Sequence, residues 1–203
     1  MLNQRNKLLK DIGFQPGLTE TLDVWDMQLV SYGKKIISLR RQFMEELGEI
    51  IRQIHSNLTG KKEEIRLLYE PDVEEKVFEE KLQSAREKDL RFRVTSVGPH
   101  RDDFCVQING IDIRKYGSQG QQRTAALSLK MSEIYLVEKV TKDHPVLLLD
   151  DVLSELDSSR QNYLLQSIHN IQTVITCTGL DELIENNFSI DRVFRVTEGK
   201  IDF

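Results

Sequence analysis

From Leu22 onward the apolar positions fall at Trp25, Leu29, Tyr32, Ile36, Leu39, Phe43, Leu47, Ile50, Ile54 and Leu58. Steps of three and four keep them on one face of a helix for about ten turns. Thr21 is placed to cap this helix, Asp23 lies in its first turn, and Asn57 to Gly60 supplies the stop. Gly33 and Gly48 interrupt it, each costing about 1 kcal/mol relative to alanine if exposed, so the stripe must gain more than that by packing. So long and one-sided a helix implies an arm or an antiparallel helical pair; a surface helix lying along its own domain is the alternative. The expected cover is the segment Leu2 to Ile12, with Leu2, Leu8 and Leu9 before the break at Gly13 and Pro16-Gly17, or a segment from outside this chain. On that reading Ile36 and Phe43 are core residues, and truncating either to alanine costs about 2–5 kcal/mol.

Ile65 to Tyr69, ended by Pro71, reads as a strand, and Val73 to Leu90 as a helix whose charged remainder is a solvated face. Phe92 to Ser96 and Phe104 to Ile108 read as two strands separated by a loop, with Asn109-Gly110 as a hairpin turn into Ile111 to Ile113. A helix over Gln119 to Val140 has an apolar side at Ala125, Leu129, Leu136 and Val140. Val146 to Leu149 reads as a buried parallel strand ending in Asp150 and Asp151. Beyond it come a helix from Asp157 to Ile168, a strand from Thr173 to Cys177, a short helix from Leu180 to Ile184, and a strand from Val193 to Thr197 turned by Glu198-Gly199-Lys200. Alternation of strand and helix from Pro145 onward implies a parallel sheet covered by helices.

Composition narrows this picture only a little. The 203 residues allow one domain with an appendage or two small domains, and 30% charged against 7% aromatic residues fits a large solvated helical surface. A net charge of -5, from 28 Lys+Arg and 33 Asp+Glu, does not announce nucleic-acid binding, although a local basic face can coexist with it. Cys105 and Cys177 each stand alone and read as reduced thiols. His55, His100, His144 and His169 show no ligand spacing, so no metal centre built on His or Cys is implied. There is no signal-like apolar region and no run near the roughly 18 apolar residues of a membrane span, which makes the cytoplasm the expected compartment and excludes a membrane partner.

The candidate chemistry lies between Tyr116 and Asp157. Ser118 and Gly120 stand at the start of the Gln119 helix, where free N–H groups and the helix dipole favour an anion. Asp150 and Asp151 end a parallel strand, the edge at which open α/β sheets bind ligands. The order Gly117-Ser118-Gln119-Gly120-Gln121, then hhhhDD, then Ser154-Glu155-Leu156-Asp157 resembles the signature, Walker B strand and D-loop of ABC-type ATPases. The resemblance implies ATP and Mg²⁺ as cofactors. It implies that Ser118, Gln119, Gly120 and Gln121 close onto a γ-phosphate held by the opposite protomer, and that Asp150 holds Mg²⁺ through water. Asp151 is implied to polarise the attacking water, and Asp157 to cross the dimer interface. Transporters carry a His after the next strand; Ile175-Thr176-Cys177-Thr178-Gly179 has none, and Thr178 is the best match to that position. The loop Val97 to Asp103 packs His100, Arg101, Asp102 and Asp103 together, either as an Arg101 to carboxylate brace of a tight turn or as a nucleotide or DNA contact. No G-x-x-x-x-G-K-[ST] occurs in the 203 residues. The chain therefore carries half an ATP site, and is expected to be the C-terminal part of a longer protein, an ATPase only when a preceding segment supplies the phosphate loop.

Gly-Pro-His-Arg-Asp-Asp at 98 to 103, Tyr-Gly-Ser-Gln-Gly-Gln-Gln-Arg-Thr at 116 to 124 and Leu-Leu-Leu-Asp-Asp-Val-Leu-Ser-Glu-Leu-Asp at 147 to 157, with Leu-Asp-Val-Trp-Asp at 22 to 26, resemble the RecF family of bacterial recombination proteins. The resemblance covers essentially the whole chain. It implies an α/β fold, part of an ABC/SMC-type ATPase head with a parallel-sheet core plus an elongated α-helical arm. Residues 1–92 would form the arm with its connecting strand and helix, and residues 93–203 the C-terminal portion of the head. It also implies an ATP-dependent homodimer that binds double-stranded DNA and single-strand/double-strand junctions, and works with RecR and RecO to load RecA. A transporter nucleotide-binding subunit and a non-catalytic interaction module are the competing readings, the first disfavoured by the missing switch His and the long arm.

Overall fold

Two helices open the chain, α1 (Leu2–Ile12) and α2 (Thr21–Leu58), the latter 38 residues long. They belong to the computed structural model of this protein, which describes residues 1–168, 170–177 and 190–202 in two compact units, Met1–Tyr135 and Leu136–Phe203. The Thr21 side chain does not accept a cap bond from the helix; its hydroxyl donates to the carbonyl of Leu18.

Three apolar clusters share the cover of α2. Its first turns meet α1 through Leu9, Ile12 and Leu22. Its middle, at Leu29, Val30 and Ile37, packs on Val73 and on Phe78 and Leu82 of α3 (Phe78–Ser84). Its last third, at Ile51, packs on Ile65 of β1 (Ile65–Glu70), Ile108 of β2 (Asp103–Ile108), Ile113 and Ala125. The buried face therefore differs from the expected stripe. Leu22, Leu29, Leu47, Ile54 and Leu58 are inside, but Tyr32, Ile36, Leu39 and Phe43 are exposed, Ile36 at 40% and Phe43 at 48%. Gly33 and Ile37 hold the buried face instead, because the Phe78 ring comes in on their side of the helix.

That approach explains one helix glycine. A Cβ on Gly33 would lie 2.3 Å from Cε1 of Phe78, a ring with no exposed surface and no room to retreat, whereas a Cβ on Gly48 would meet Leu67 at 4.0 Å, an ordinary contact. The two glycines should respond oppositely to alanine. Gly33→Ala is expected to lower the free energy of unfolding by about 1–3 kcal/mol through overpacking, and Gly48→Ala to raise it by about 0.5–1 kcal/mol through helix propensity. Urea denaturation of the two variants measures both.

In the first unit β1 pairs antiparallel with β2, and β2 with β3 (Ile111–Asp112). Asn109 and Gly110 both take positive φ, 51° and 81°, as the expected hairpin turn requires. The strand expected over Phe92 to Ser96 is not formed. Residues 86–92 are helical (α4, Arg86–Phe92), and Arg93 at φ 57° ends that helix. The N–H groups of Thr95 and Ser96 go to the side chains of Asn6 and Asp89 and not to a strand partner. Elements from both sides of residue 92 thus share one sheet and one core.

A four-residue helix, α5 (Ile113–Tyr116), leads into α6 (Gln119–Thr141). In the second unit β4 (Leu147–Asp150) lies parallel to β5 (Thr173–Thr176), with α7 (Ser158–Ser167) between them in sequence. An antiparallel hairpin of β6 (Arg195–Thr197) and β7 (Lys200–Asp202) closes the chain through Glu198 and Gly199, both at positive φ. The expected burial of the Val146–Leu149 run is not met. Leu149 is buried, but Val146 is exposed and Leu148 is 73% exposed, because one face of the β4–β5 pair has no cover among the described residues. Val140 at the end of α6 is exposed as well. The expected helix from Leu180 to Ile184 lies outside the described residues.

Candidate functional site

The turn at Gly117 is imposed by close packing. A Cβ there would sit 2.6 Å from the carbonyl oxygen of Ile113, so only glycine lets the chain fold back from α5 into α6. Ser118 then caps α6 in a reciprocal box. Its Oγ accepts the N–H of Gln121 at 3.2 Å, and the Gln121 Oε1 accepts the N–H of Ser118 at 3.0 Å. The Ser-x-x-Gln spacing that encodes this box was legible in the sequence and adds a structural role to the one expected of both residues. Gln119 and Gly120 are exposed on the first turn. A Cβ on Gly120 would approach nothing closer than Ser118 Oγ at 4.0 Å. Packing within this chain therefore does not demand a glycine at 120, although glycine weakens a helix by about 0.5–1 kcal/mol. What the glycine leaves is bare backbone at a helix N-terminus, facing outward.

In the second unit the register of β4 on β5 sets Asp150 opposite Thr176. The Thr176 hydroxyl donates to Asp150 Oδ1. The N–H of Asp151 in turn reaches Thr176 Oγ1 at 3.1 Å and its carbonyl at 3.2 Å. Asp151 sits at φ 51°, so the chain turns sharply off the strand end with both carboxylates exposed. Thr176 was missed as a site residue, because its place beside Asp150 depends on strand pairing and not on sequence spacing. Asp157 caps α7, accepting the N–H of Arg160 at 3.0 Å and pairing with its guanidinium at 2.6 Å. Thr178 lies outside the described residues. Among the described residues no cluster of three or more His, Cys, Asp or Glu side chains is set to hold a metal. The exposed Asp150 with its Thr176 neighbour fits Mg²⁺, which keeps most of its waters and takes one or two carboxylates together with substrate phosphates.

The 98–103 loop is braced, but by other partners than expected. Asp102, not Arg101, is its hub. Its carboxylate takes the Arg40 guanidinium of α2 at 2.8 Å, the Tyr69 hydroxyl, and the N–H of Asp72 at 3.1 Å. Arg40 also donates to the Pro99 carbonyl, and Asp72 accepts the N–H of Gly98 at 2.9 Å. Burial, reinforced by the bond to Asp102, pushes the Tyr69 hydroxyl pKa well above its usual value. Asp103 pairs with Arg114 at 2.8 Å, and that bond, ahead of the one from the N–H of Phe104, holds its carboxyl below the usual range. Arg101 is exposed on this fixed turn.

The chain is similar to known proteins over nearly its whole length. The chain is 60% identical over 203 residues to the DNA replication and repair protein RecF of Lachnospira eligens, and 58% identical over 201 residues to that of Agathobacter rectalis, with 99% of this chain covered in each case. The chain is RecF-like throughout. No family model matches it. It spans about half the length of the RecF relatives it matches, 56% of each. Its fold agrees with that of solved RecF structures. A solved structure of the recombination mediator protein RecF-ATPrS in the RecFOR pathway superposes with a TM-score of 0.84 at 36% identity, over 99% of this chain and 55% of that one, and a RecF-ATP structure with 0.83. The RecF-like chain is thus mixed α/β, with long helices and a parallel strand pair, a fold it shares with about half of those RecF structures. Among the described residues no helix is long and apolar enough to cross a membrane.

Proposed function

We propose that this chain is the C-terminal part of a RecF-like DNA recombination and repair ATPase. In the full-length protein a preceding segment supplies the phosphate loop, two copies close on ATP with Mg²⁺, and the dimer binds double-stranded DNA near single-strand/double-strand junctions. It acts in the cytoplasm with RecR and RecO to load RecA. The observation that carries the reading is the start of α6, where a capped helix N-terminus presents outward-facing backbone at Gly120 beside the Ser118 hydroxyl. Such a terminus suits an anion brought by another molecule.

The roles follow from the chemistry of each side chain. Ser118 uses its oxygen lone pair on the N–H of Gln121, which leaves its O–H to donate to a phosphate oxygen of the opposite protomer's nucleotide. Asp150, oriented by Thr176, would hold Mg²⁺ through water, and the ion would supply charge neutralisation for the nucleotide's phosphates. Asp151, fixed at its backbone by Thr176 and exposed at its carboxylate, orients the attacking water and accepts its proton. In the same proposal residues 1–92 carry the arm and residues 93–203 the head portion, the two joined through the β1–β2 pair and its shared core.

Ser118→Arg in the full-length protein tests it. The long cation fills the space over Gly120, so ATP binding to the monomer is expected to stay within about twofold of wild type while ATP-induced dimerisation is lost. Light scattering beside equilibrium nucleotide binding reads both. A Ser118→Arg protein that still dimerises normally would reduce the Gly117–Gln121 segment to a helix start.

A further inference from the structure

Behind Ser118 a line of hydrogen bonds runs inward to a residue that the reading above does not use. Gln121 Oε1 accepts the N–H of Ser118, and Gln121 Nε2 donates to Glu63 Oε1 at 3.0 Å. Glu63 Oε2 lies 3.2 Å from Nε2 of His55, a residue with no exposed surface, and His55 Nδ1 lies 3.0 Å from Oγ of Ser128 on α6. An amide nitrogen only donates, so the bond from Gln121 Nε2 to Glu63 Oε1 identifies the nitrogen end of the Gln121 side chain. That fact fixes the direction of the Gln121 amide. With its nitrogen claimed by Glu63, its oxygen must face the N–H of Ser118, which is the orientation the capping box needs. The loop that carries Glu63 is itself held. Its neighbour Glu64 exchanges bonds with Asn109 of the hairpin turn, its N–H to Asn109 Oδ1 at 2.9 Å and its carbonyl from the Asn109 N–H at 2.9 Å.

We propose that Glu63 and His55 are positioning residues for the Ser118–Gln121 segment. They lock the Gln121 amide so that Ser118 and Gly120 are pre-formed to receive a phosphate, and they tie that segment to the C-terminal end of α2. The inference rests on the phosphate-reading role proposed for Ser118. Preorganised donors cost no rearrangement when the anion arrives. Without Glu63 the amide can turn over or swing out, and closure of the dimer must then order it.

The test is a series in the full-length protein: Glu63→Ala, Glu63→Asp and Glu63→Gln, with Ser118→Arg alongside. Three quantities are read: the ATP concentration for half-maximal dimerisation, ATP affinity of the monomer, and the thermal midpoint. Loss of one hydrogen bond to a charged group corresponds to about a tenfold change. Glu63→Ala and Glu63→Asp, the latter one methylene too short, are expected to need about tenfold more ATP to dimerise with monomer affinity unchanged. Glu63→Gln keeps an acceptor for Gln121 Nε2 and should fall within about threefold of wild type. The Asp variant keeps the charge and serves if the Ala variant does not fold. A folded Glu63→Asp protein that dimerises at the wild-type ATP concentration overturns the proposal, and so does an effect that tracks the thermal midpoint in all three variants. If Ser118→Arg alone blocks dimerisation, the phosphate-reading role survives that failure; if it too dimerises normally, that role falls first.

Discussion

Replacing Arg5 by methionine is expected to cost about 3–5 kcal/mol of stability and to lower the thermal midpoint by roughly 6–20 °C. The Arg5 guanidinium is almost wholly buried. Its Nε donates to Asp26 Oδ1 of α2 at 2.6 Å, and its Nη1 to Asp89 Oδ2 of α4 and Thr95 Oγ1, each at 2.8 Å. Asp89 also accepts the N–H of Ser96 at 2.9 Å, and Asn6 accepts both the N–H and the hydroxyl of Thr95. One side chain of α1 thus joins α1, α2, α4 and the turn after α4. Methionine fills much of the volume but strands Asp89, which has no exposed surface, and leaves the nearly buried Asp26 with only Arg86, 4.0 Å away, and an unpaired buried charge costs more than the pair was worth. Adding Asp26→Leu to Arg5→Met should recover part of the loss, since it removes a nearly buried charge left with only the distant Arg86. Urea unfolding of the two variants measures this. A loss below about 1 kcal/mol for Arg5→Met would show that apolar packing at Leu9, Ile12 and Leu22 alone holds α1 in place.

Asp151→Asn in the full-length protein has the largest expected effect on turnover, a fall of about 10²-fold or more with ATP-bound dimers accumulating. The substitution keeps the backbone bond to Thr176, because that bond uses the N–H of Asp151, and it leaves Asp150 with its Thr176 partner. Asparagine at φ 51° is also among the residues that tolerate the left-handed region. Only the proton acceptor is lost. Dimerisation should therefore match or exceed wild type while phosphate release falls, the reverse of Ser118→Arg. Single-turnover phosphate release with light scattering on the same sample separates the steps. Turnover within threefold of wild type would take the water-activating role away from Asp151.

Local pattern was enough for some of this molecule. The length of α2, the Asn109-Gly110 hairpin, the Gln119 helix and the parallel strand ending in Asp150 all follow from apolar periodicity, turn residues and caps, which act within a few residues of one another. The resemblance to RecF was legible for the same reason, since the motifs at 98–103, 116–124 and 147–157 are contiguous stretches.

What periodicity could not decide was which face of α2 is covered. Tyr32, Ile36, Leu39 and Phe43 continue the apolar stripe, yet Phe78, 45 positions beyond Gly33, arrives on the glycine side and draws Val30, Gly33 and Ile37 inward. Phe92 to Ser96 alternates like a strand, but its N–H groups are claimed by Asn6 and Asp89, residues that only folding brings near. Arg5, Asp26 and Asp89 look like ordinary surface charges in a chain with 30% of them, as does Glu63 in its Lys-Lys-Glu-Glu run. Burial and pairing are properties of the assembled elements. Removing a charge matters little on the surface and much where it leaves a desolvated partner unpaired, so the residues that bind α1 to α2 and support Ser118 were settled by tertiary contact alone.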